Sequence, residues 1–229
     1  KHNLLVIDDA CHALGATYRK KKIGSLSDLS IFSFHPVKSI TTGEGGAILT
    51  DSKDFYEKMK RMRSHGIEKD AKGFNVMNSF GYNYRLTDIQ ASLGISQLKK
   101  LDSFIAKRRA VVSWYRELLT GNTHLALPVE LPEVESSWHL FIVRVVREQD
   151  RLPLYEYLKN AGVGVNFHYP PVYTHPYYRT HGYTQISLPI MERYAQTAIT
   201  LPLFPGLKRK DVALICGKIK AYFSMYGNR

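Results

Sequence analysis

The sequence predicts an α/β domain followed by a smaller α+β domain. In the first half, short apolar runs alternate with helical patterns, which is typical of buried strands with helices packed on them. The second half mixes a strand-like run at 138–146 with helical runs at 151–162 and from Asp211 onwards. A long helical stretch joins the halves. We place the domain boundary inside it, with residues 1–108 in the first domain and 109–229 in the second.

The elements of the first half follow from local patterns. Three apolar runs predict strands, at 3–8, 29–34 and 46–50. The third is followed by a helical pattern in which Phe55, Met59 and Met62 share one face, with Asp51 or Ser52 as N-cap and Gly66 as the stop.

The remaining pattern is a loop, a long helical region and a mixed second half. Residues 67–84 are polar and rich in Gly and Asn, which predicts a loop. A helical pattern then runs from Leu86 to Gly121. In the second half, the run at 163–173 predicts a strand that ends in prolines.

Composition and charge exclude several classes of protein. The 229 residues are enough for a sizeable core, and every apolar run is much shorter than the roughly 18 residues that a membrane helix needs. The net charge of +12 comes from scattered basic residues, and no nucleic-acid-binding motif accompanies them. We therefore expect neither nucleic acid nor membrane as a partner. Two cysteines without a CxxC spacing indicate a reducing compartment, and we expect the cytoplasm.

The stretch VIDDACHALGA places two acids where an apolar strand ends, and open α/β sheets bind ligands at that end. Asp9 and His12 are three residues apart, so a turning segment would direct both into one cavity. Asp9 could instead cap a helix, with His12 at the edge of the core. A metal site of Asp8, Asp9, His12 and His35 has no recognised ligand spacing. A carboxylate here could also bind a protonated ring nitrogen.

Lys38 lies between an apolar strand with a proline and the glycine-rich stretch TTGEGG. Glycines allow close approach of a ligand to the backbone, and desolvation lowers the pKa of a lysine, which frees its amine. A Schiff-base lysine fits this setting. Taken alone, the exposed loop lysine is the commoner case.

Two further stretches are candidates for ligand contact. GYNYRLTD, residues 81–88, enters a helix, and Asn83 and Arg85 in it could contact an anion, or the stretch could be loop structure alone. NFHYPPVYTHPYY, residues 166–178, is dense in Tyr, His and Pro. It could stack on a ring and bind hydroxyls, or it could be a packed surface loop or an oligomer contact.

Together, VIDDACHALGA, SLSDLSIFSFHPVKSITTGEGGAILT, RSHGI and GYNYRLTDIQASLGISQLKKLD resemble the DegT/DnrJ/EryC1/StrS sugar aminotransferases. These are fold-type I enzymes that depend on pyridoxal 5'-phosphate (PLP). The resemblance covers most of residues 3–121 in the correct order. It is greatest to the transaminases that aminate UDP-4-keto-6-deoxy-N-acetylhexoses in pseudaminic acid biosynthesis.

The resemblance implies a role for each candidate residue. Lys38 matches the lysine that binds the cofactor covalently and then moves a proton. Asp9 matches the acid that pairs with the pyridinium nitrogen, and His12 matches a position against the cofactor ring. Ser33 matches a serine that contacts the phosphate. Asn83 matches an asparagine that contacts the phosphate of the neighbouring subunit's cofactor, which implies a homodimer with shared active sites.

The resemblance also implies the fold, the substrates and a second pair of site residues. The fold is part of a PLP-binding large domain with a mixed, mostly parallel sheet, followed by a small α+β domain. The substrates are a nucleotide-linked keto-sugar and an amino-acid donor, by family expectation glutamate. His168 and Tyr169 correspond to the part of the second domain that approaches the sugar nucleotide. No metal is implied.

Alternative functions come from the same fold. PLP-dependent sugar dehydratases of this family carry His where Lys38 stands, so Lys38 favours the transaminase. A non-catalytic regulatory or binding protein on this fold would not need Asp9, His12, Ser33 and Lys38 together. Family members carry a further N-terminal segment that supplies strands and a phosphate-binding loop, so we expect this sequence to be the later part of a longer chain. The sugar stereochemistry, the ketone position and the nucleotide do not follow from the sequence.

Overall fold

The computed structural model describes residues 2–227. The strands are β1 (Ile7–Asp9), β2 (Thr17–Tyr18), β3 (Lys21–Lys22), β4 (Leu29–Ser33), β5 (Gly46–Leu49), β6 (Ile67–Lys69), β7 (Asn75–Met77), β8 (Leu125–Ala126), β9 (Val134–Glu135), β10 (Phe141–Val145) and β11 (Ala198–Leu201). The helices are α1 (Lys53–Arg63), α2 (Asp88–Leu98), α3 (Leu101–Leu119), α4 (Arg151–Asn160), α5 (Pro176–Thr180), α6 (Pro189–Thr197) and α7 (Arg209–Tyr226). These residues divide into two compact units, and the division falls inside α3, between Ile105 and Ala106. Residues 130–137 belong to the first unit.

A mixed sheet in the order β1-β4-β5 forms the centre of the first unit. β1 runs parallel to β4, and β5 runs antiparallel to β4. Only β4 is largely buried. The prediction that all three strands are buried is wrong for β1 and β5, because Ile7 is 62% exposed and Ile48 is 47% exposed. Between β1 and β4 the chain forms the short antiparallel strands β2 and β3.

The predicted helix after β5 is confirmed as α1, and Ser52 is its N-cap: the main-chain N–H of Phe55 donates a hydrogen bond to the Ser52 side chain. The helical region predicted from Leu86 begins at Asp88, because Thr87 caps α2 in a capping box with Gln90. Residues 67–84 are not simply a loop. They contain the antiparallel hairpin of β6 and β7. The hairpin was not predicted because its exposed polar residues interrupt the apolar pattern of a strand.

The second unit has a buried antiparallel sheet in the order β11-β10-β8. Tyr115 of α3 stacks on Phe141 of β10 with 4.8 Å between ring centroids, and both rings are fully buried. Leu158 of α4 and Ile219 of α7 belong to the same hydrophobic core. Burial of this hydrophobic core supplies most of the driving force for folding of the unit.

The strand predicted at 163–173 is wrong. In this range only Asn166 makes a strand-like pair, with Thr200 of β11. Pro170 and Pro171 end the pairing, since proline has no N–H to donate to a sheet. In the described range 2–227, no helix combines the length and the apolar character that crossing a membrane requires.

Candidate active site

Asp9 and Ser33 lie at the same edge and on the same face of the β1-β4-β5 sheet. Both residues end their strands, and the two strands are parallel, so both ends meet at one edge. Asp9 pairs with Ile31, which is two residues before Ser33. Since side chains alternate between faces along a strand, Asp9, Ile31 and Ser33 point to one side of the sheet. Ligands of open α/β sheets bind at this kind of edge.

Lys38 lies in the turn that follows β4 at this same edge. The N–H of Lys38 donates to the carbonyl of His35 at 2.9 Å, which closes the turn, and the Lys38 side chain is half-buried. The charge of Lys38 contributes to lowering the pKa of Asp9. The structure therefore brings Asp9, Ser33 and Lys38 to one edge.

The two chain segments that carry these residues are anchored in one small hydrophobic cluster. Ile40, two residues after Lys38, is 3% exposed and packs with Leu101 and Ile105 at the start of α3. Leu14, two residues after His12, and Phe34, which follows Ser33, pack against the same cluster. Shared anchoring of this kind fixes the backbone on which the polar side chains stand.

The carboxylate of Asp9 is held in its ionised form. A hydrogen bond from the Cys11 side chain and one from the Cys11 main-chain N–H, at 3.1 Å to Oδ1, lower the pKa of Asp9 below its ordinary value. Burial opposes these hydrogen bonds by raising the pKa, and the charges of His12 and Lys38 lower it by smaller amounts. An anion at this position is suited to bind a protonated ring nitrogen.

His12 lies in the turn after β1, with an exposed side chain, and its charge acts on Asp9. The hydroxyl of Ser137 donates to the carbonyl of His12 at 3.2 Å, which ties this turn to residues 130–137 of the same unit. His12 thus joins the three residues at the sheet edge. The N–H of His35 donates to the Ser33 hydroxyl oxygen at 3.3 Å.

Asn83 belongs to a separate element of the first unit. It is exposed and forms a strand-like pair with Ser64, just beyond α1. The N–H of Tyr84 donates to the carbonyl of Arg63 at 2.9 Å, which holds Asn83 on the surface. Phe80, Tyr82 and Tyr84 form a run of contacting rings beside it, and Tyr82 and Tyr84 are stacked with centroids 4.7 Å apart.

His168 and Tyr169 lie in the second unit. His168 is half-buried, and its Nδ1 is 2.7 Å from the hydroxyl oxygen of Thr200. Tyr169 is exposed, and its ring contacts that of His168 edge to face.

Sequence reasoning missed two contributors to these sites. Cys11 donates to Asp9, and the signal for it is the spacing, since a residue two positions after an Asp often donates its N–H to that carboxylate. Glu192 of α6 accepts a hydrogen bond from Tyr173, and no local pattern connects residues 19 positions apart.

The residues at the sheet edge fit PLP as a donor set. An ionised carboxylate, a half-buried amine and a hydroxyl stand at one edge, and these are the groups that a pyridinium nitrogen, an aldehyde and a phosphate require. The metal-binding alternative has no such support. Within residues 2–227, no three His, Cys, Asp or Glu residues form a group that could hold a metal ion.

Comparisons with family models, curated proteins and solved structures all relate this chain to sugar aminotransferases. The model of the DegT/DnrJ/EryC1/StrS aminotransferase family matches residues 1–220. A UDP-4-amino-4,6-dideoxy-N-acetyl-beta-L-altrosamine transaminase of Campylobacter jejuni is 40% identical over 217 residues, which are 94% of this chain and 57% of that protein.

Solved structures agree. An aminotransferase of Helicobacter pylori involved in the biosynthesis of pseudoaminic acid superposes with a TM-score of 0.93 at 32% identity, over 98% of this chain and 61% of that one. A Streptococcus pneumoniae protein provisionally assigned as a sugar aminotransferase, in its PMP form, gives a TM-score of 0.91 at 30% identity, over 97% and 59% of the two chains.

These comparisons confirm the predicted fold class, part of a fold-type I PLP aminotransferase. The chain spans about three fifths of the length of the relatives it matches. It belongs to the DegT/DnrJ/EryC1/StrS aminotransferase family.

Proposed function

We propose that the protein is a PLP-dependent aminotransferase that moves an amino group from glutamate to a nucleotide-linked keto-sugar, a UDP-4-keto-6-deoxy-N-acetylhexose. The observation that carries the proposal is the meeting of Asp9, Ser33 and Lys38 at one edge of the β1-β4-β5 sheet. The substrate is proposed from the relatives, since the Campylobacter jejuni protein is a UDP-sugar transaminase and the Helicobacter pylori protein acts in pseudoaminic acid biosynthesis.

Each residue has a proposed role that follows from its chemistry. PLP, when bound, supplies an electron sink for the carbanion formed at the substrate. Lys38 would hold the cofactor through Nζ, and the same nitrogen would accept and return the substrate proton. Asp9, ionised by its hydrogen bonds, would keep the ring nitrogen protonated. His12 would lie against the ring, and Ser33 would contact the phosphate.

We propose a homodimer in which Asn83 serves the neighbouring subunit's cofactor phosphate. Asn83 stands on an exposed surface that carries large apolar side chains: Phe80 is 68% exposed, Tyr84 is 72% exposed, and Ile89 on α2 is 85% exposed. Exposed large apolar side chains of this kind favour a protein partner over solvent. His168 and Tyr169 are proposed to contact the sugar nucleotide. Residues 1–108 are proposed to be the later part of the PLP-binding domain, and residues 109–229 the small domain.

A cytoplasmic location is part of the same proposal. Cys11 and Cys216 are free thiols, which suits a reducing compartment. Neither nucleic acid nor membrane is included among the partners, which are the nucleotide sugar, the amino donor and a second copy of the chain.

Two other functions on this fold compete with the transaminase. A PLP-dependent sugar dehydratase would carry His in place of Lys38. A regulatory or binding protein would have no use for an ionised Asp9 beside an amine.

The deciding experiment is reduction of the purified protein with borohydride after incubation with PLP, followed by peptide mapping. We expect a pyridoxyl adduct on Lys38 and loss of the visible absorbance band. Lys38→Ala is the control and should give neither. A wild-type protein with no such band and no adduct would rule out the transaminase.

A further inference from the structure

A single carboxylate joins the middle and the end of the aromatic segment, residues 166–188. Oε1 of Glu192 accepts a hydrogen bond from the hydroxyl of Tyr173 at 2.8 Å and one from the N–H of Leu188 at 3.1 Å. The Leu188 N–H also lies 3.3 Å from the Tyr173 hydroxyl oxygen, so the three groups form a closed set. Glu192 and Tyr173 are both half-buried.

The beginning of the aromatic segment is fixed separately. Asn166 exchanges two main-chain hydrogen bonds with Thr200 of β11, at 2.8 and 3.2 Å. The Thr200 side chain also contacts Nδ1 of His168, and the hydroxyl of Tyr194 donates to the carbonyl of His168 at 3.4 Å. Glu192 then ties the middle and the end of the segment, at Tyr173 and Leu188, to α6.

The charge of Glu192 favours this arrangement. The hydrogen bond from Tyr173, and after it the one from the Leu188 N–H, lower the pKa of Glu192 below its ordinary value. Glu192 also lies in the first turn of α6, where the helix dipole stabilises a negative charge. A charged acceptor makes stronger hydrogen bonds than a neutral one, so the ionised carboxylate holds the segment best.

We propose that Glu192 is a positioning residue: through Tyr173 and Leu188 it holds the part of the aromatic segment that follows His168 and Tyr169 in the conformation that admits the nucleotide sugar. The proposal rests on the proposed function for its ligand. The contacts that carry it lie entirely within the second unit.

The first test measures the segment itself, without cofactor or substrate. Arg179 is exposed in α5, inside the aromatic segment, so trypsin cleavage after it reports local opening. We expect Glu192→Ala and Tyr173→Phe to accelerate this cleavage about tenfold, because each removes a hydrogen bond to a charged group. Glu192→Gln keeps an acceptor oxygen and should restore most of the protection. Tyr183→Phe is the matched control, since the Tyr183 ring packs edge to face on Tyr178, and it should leave the rate unchanged.

The second test separates the two half-reactions of the PLP-loaded enzyme. Glu192→Ala and Tyr173→Phe should raise KM for the UDP-keto-sugar about tenfold. The rate of the half-reaction with glutamate alone is followed by the absorbance change of the cofactor. It should stay within about twofold of wild type, because the segment that Glu192 holds affects only the binding of the sugar. A purely structural defect would lower both half-reactions together.

The outcomes are distinct. Unchanged cleavage at Arg179 in both variants would overturn the proposal that Glu192 holds the segment. Equal losses in both half-reactions would overturn the proposed role of Glu192 in binding the sugar. Should Glu192→Ala fail to fold, Tyr173→Phe, which keeps the ring, decides both tests alone. A wild-type protein that takes up no PLP would refute the proposed function and with it the role toward the sugar, while the trypsin test would still decide whether Glu192 holds the segment.

Discussion

The main-chain N–H of Cys11 donates a hydrogen bond to Oδ1 of Asp9 at 3.1 Å, and the thiol of the same residue donates a second hydrogen bond to this carboxylate. The effect on the two groups is opposite. The pKa of Asp9 falls, while burial, followed by the hydrogen bond to Asp9 and the charge of Asp9, raises the pKa of Cys11 above its ordinary value. The thiol is therefore a reporter for the carboxylate that we assign to the cofactor ring.

Asp9→Asn should make Cys11 more reactive. Loss of the carboxylate lowers the Cys11 pKa, so the thiolate fraction at pH 8 rises, and we expect alkylation by iodoacetamide to accelerate about threefold or more. In wild type the rate should still be rising at pH 9, because the pKa of Cys11 lies above its ordinary value. Mass spectrometry of the labelled peptide gives the rate.

Cys216 supplies the internal control for this measurement. It is 2% exposed, and burial raises its pKa to about 11, so it should be labelled only when the protein unfolds. Faster labelling of both cysteines in Asp9→Asn would indicate unfolding instead of the predicted electrostatic effect. An unchanged Cys11 rate with Cys216 protected would contradict the coupling.

Gly81→Ala should destabilise the surface that carries Asn83. A Cβ at Gly81 would lie 2.1 Å from the main-chain nitrogen of Gly66 and 2.5 Å from the carbonyl carbon of His65, and the backbone cannot yield as a flexible side chain does. We expect a loss of about 1–3 kcal/mol in the free energy of unfolding, measured with urea.

Gly164→Ala is the matched control, because a Cβ there would meet nothing within 4 Å and the φ of Gly164 is not positive. Its free energy of unfolding should change by about 0.5 kcal/mol or less. Equal losses in the two variants would mean that the contact between Gly81 and Gly66 does not restrain this surface.

The sequence was sufficient for features that depend on neighbours along the chain. The caps Ser52 and Thr87 define the starts of α1 and α2, and both are visible as polar residues ahead of an apolar periodicity. The place of Asp9 at the end of the first strand also follows locally, since it comes directly after an apolar run.

Features that depend on residues distant along the chain could not be predicted from the sequence. β1 reads as a buried strand from its apolar residues, yet Ile7 is exposed, because burial is decided by what packs on a strand and not by its composition. Glu192 and Tyr173 are likewise joined only by the fold of the second unit. The strand predicted at 163–173 failed because two prolines outweigh the β-branched residues before them.

Arg108→Met should weaken the second unit. The Arg108 side chain is almost fully buried, and its Nη1 donates to the carbonyls of Trp138, His139 and Leu203 at 3.0–3.2 Å. Burial lowers the pKa of Arg108, although an arginine keeps its charge throughout the ordinary pH range. Methionine fills similar volume but leaves these carbonyls without their donor.

The expected loss is roughly 2–4 kcal/mol in the free energy of unfolding. Lys107→Met changes the exposed neighbour on the same helix and should shift the urea midpoint little. If Arg108→Met unfolds at the same urea concentration as Lys107→Met, the three carbonyl contacts contribute nothing to stability.

Mixed dimers test whether Asn83 completes the neighbouring subunit's site. Asn83→Ala and Lys38→Ala should each abolish or strongly reduce transamination, since one variant weakens cofactor retention across the dimer and the other removes the amine that holds the cofactor. In a dimer of one Asn83→Ala chain and one Lys38→Ala chain, one site combines both defects. The other combines the intact Lys38 of the first chain with the intact Asn83 of the second. We therefore expect about half of the wild-type activity per mixed dimer, isolated with two different affinity tags, and one PLP per dimer by absorbance.

Mixing Lys38→Ala chains only with each other controls for residual activity. A mixed dimer as inactive as its parents would show that Asn83 and Lys38 act within one chain, and the exposed surface around Asn83 would then need another explanation.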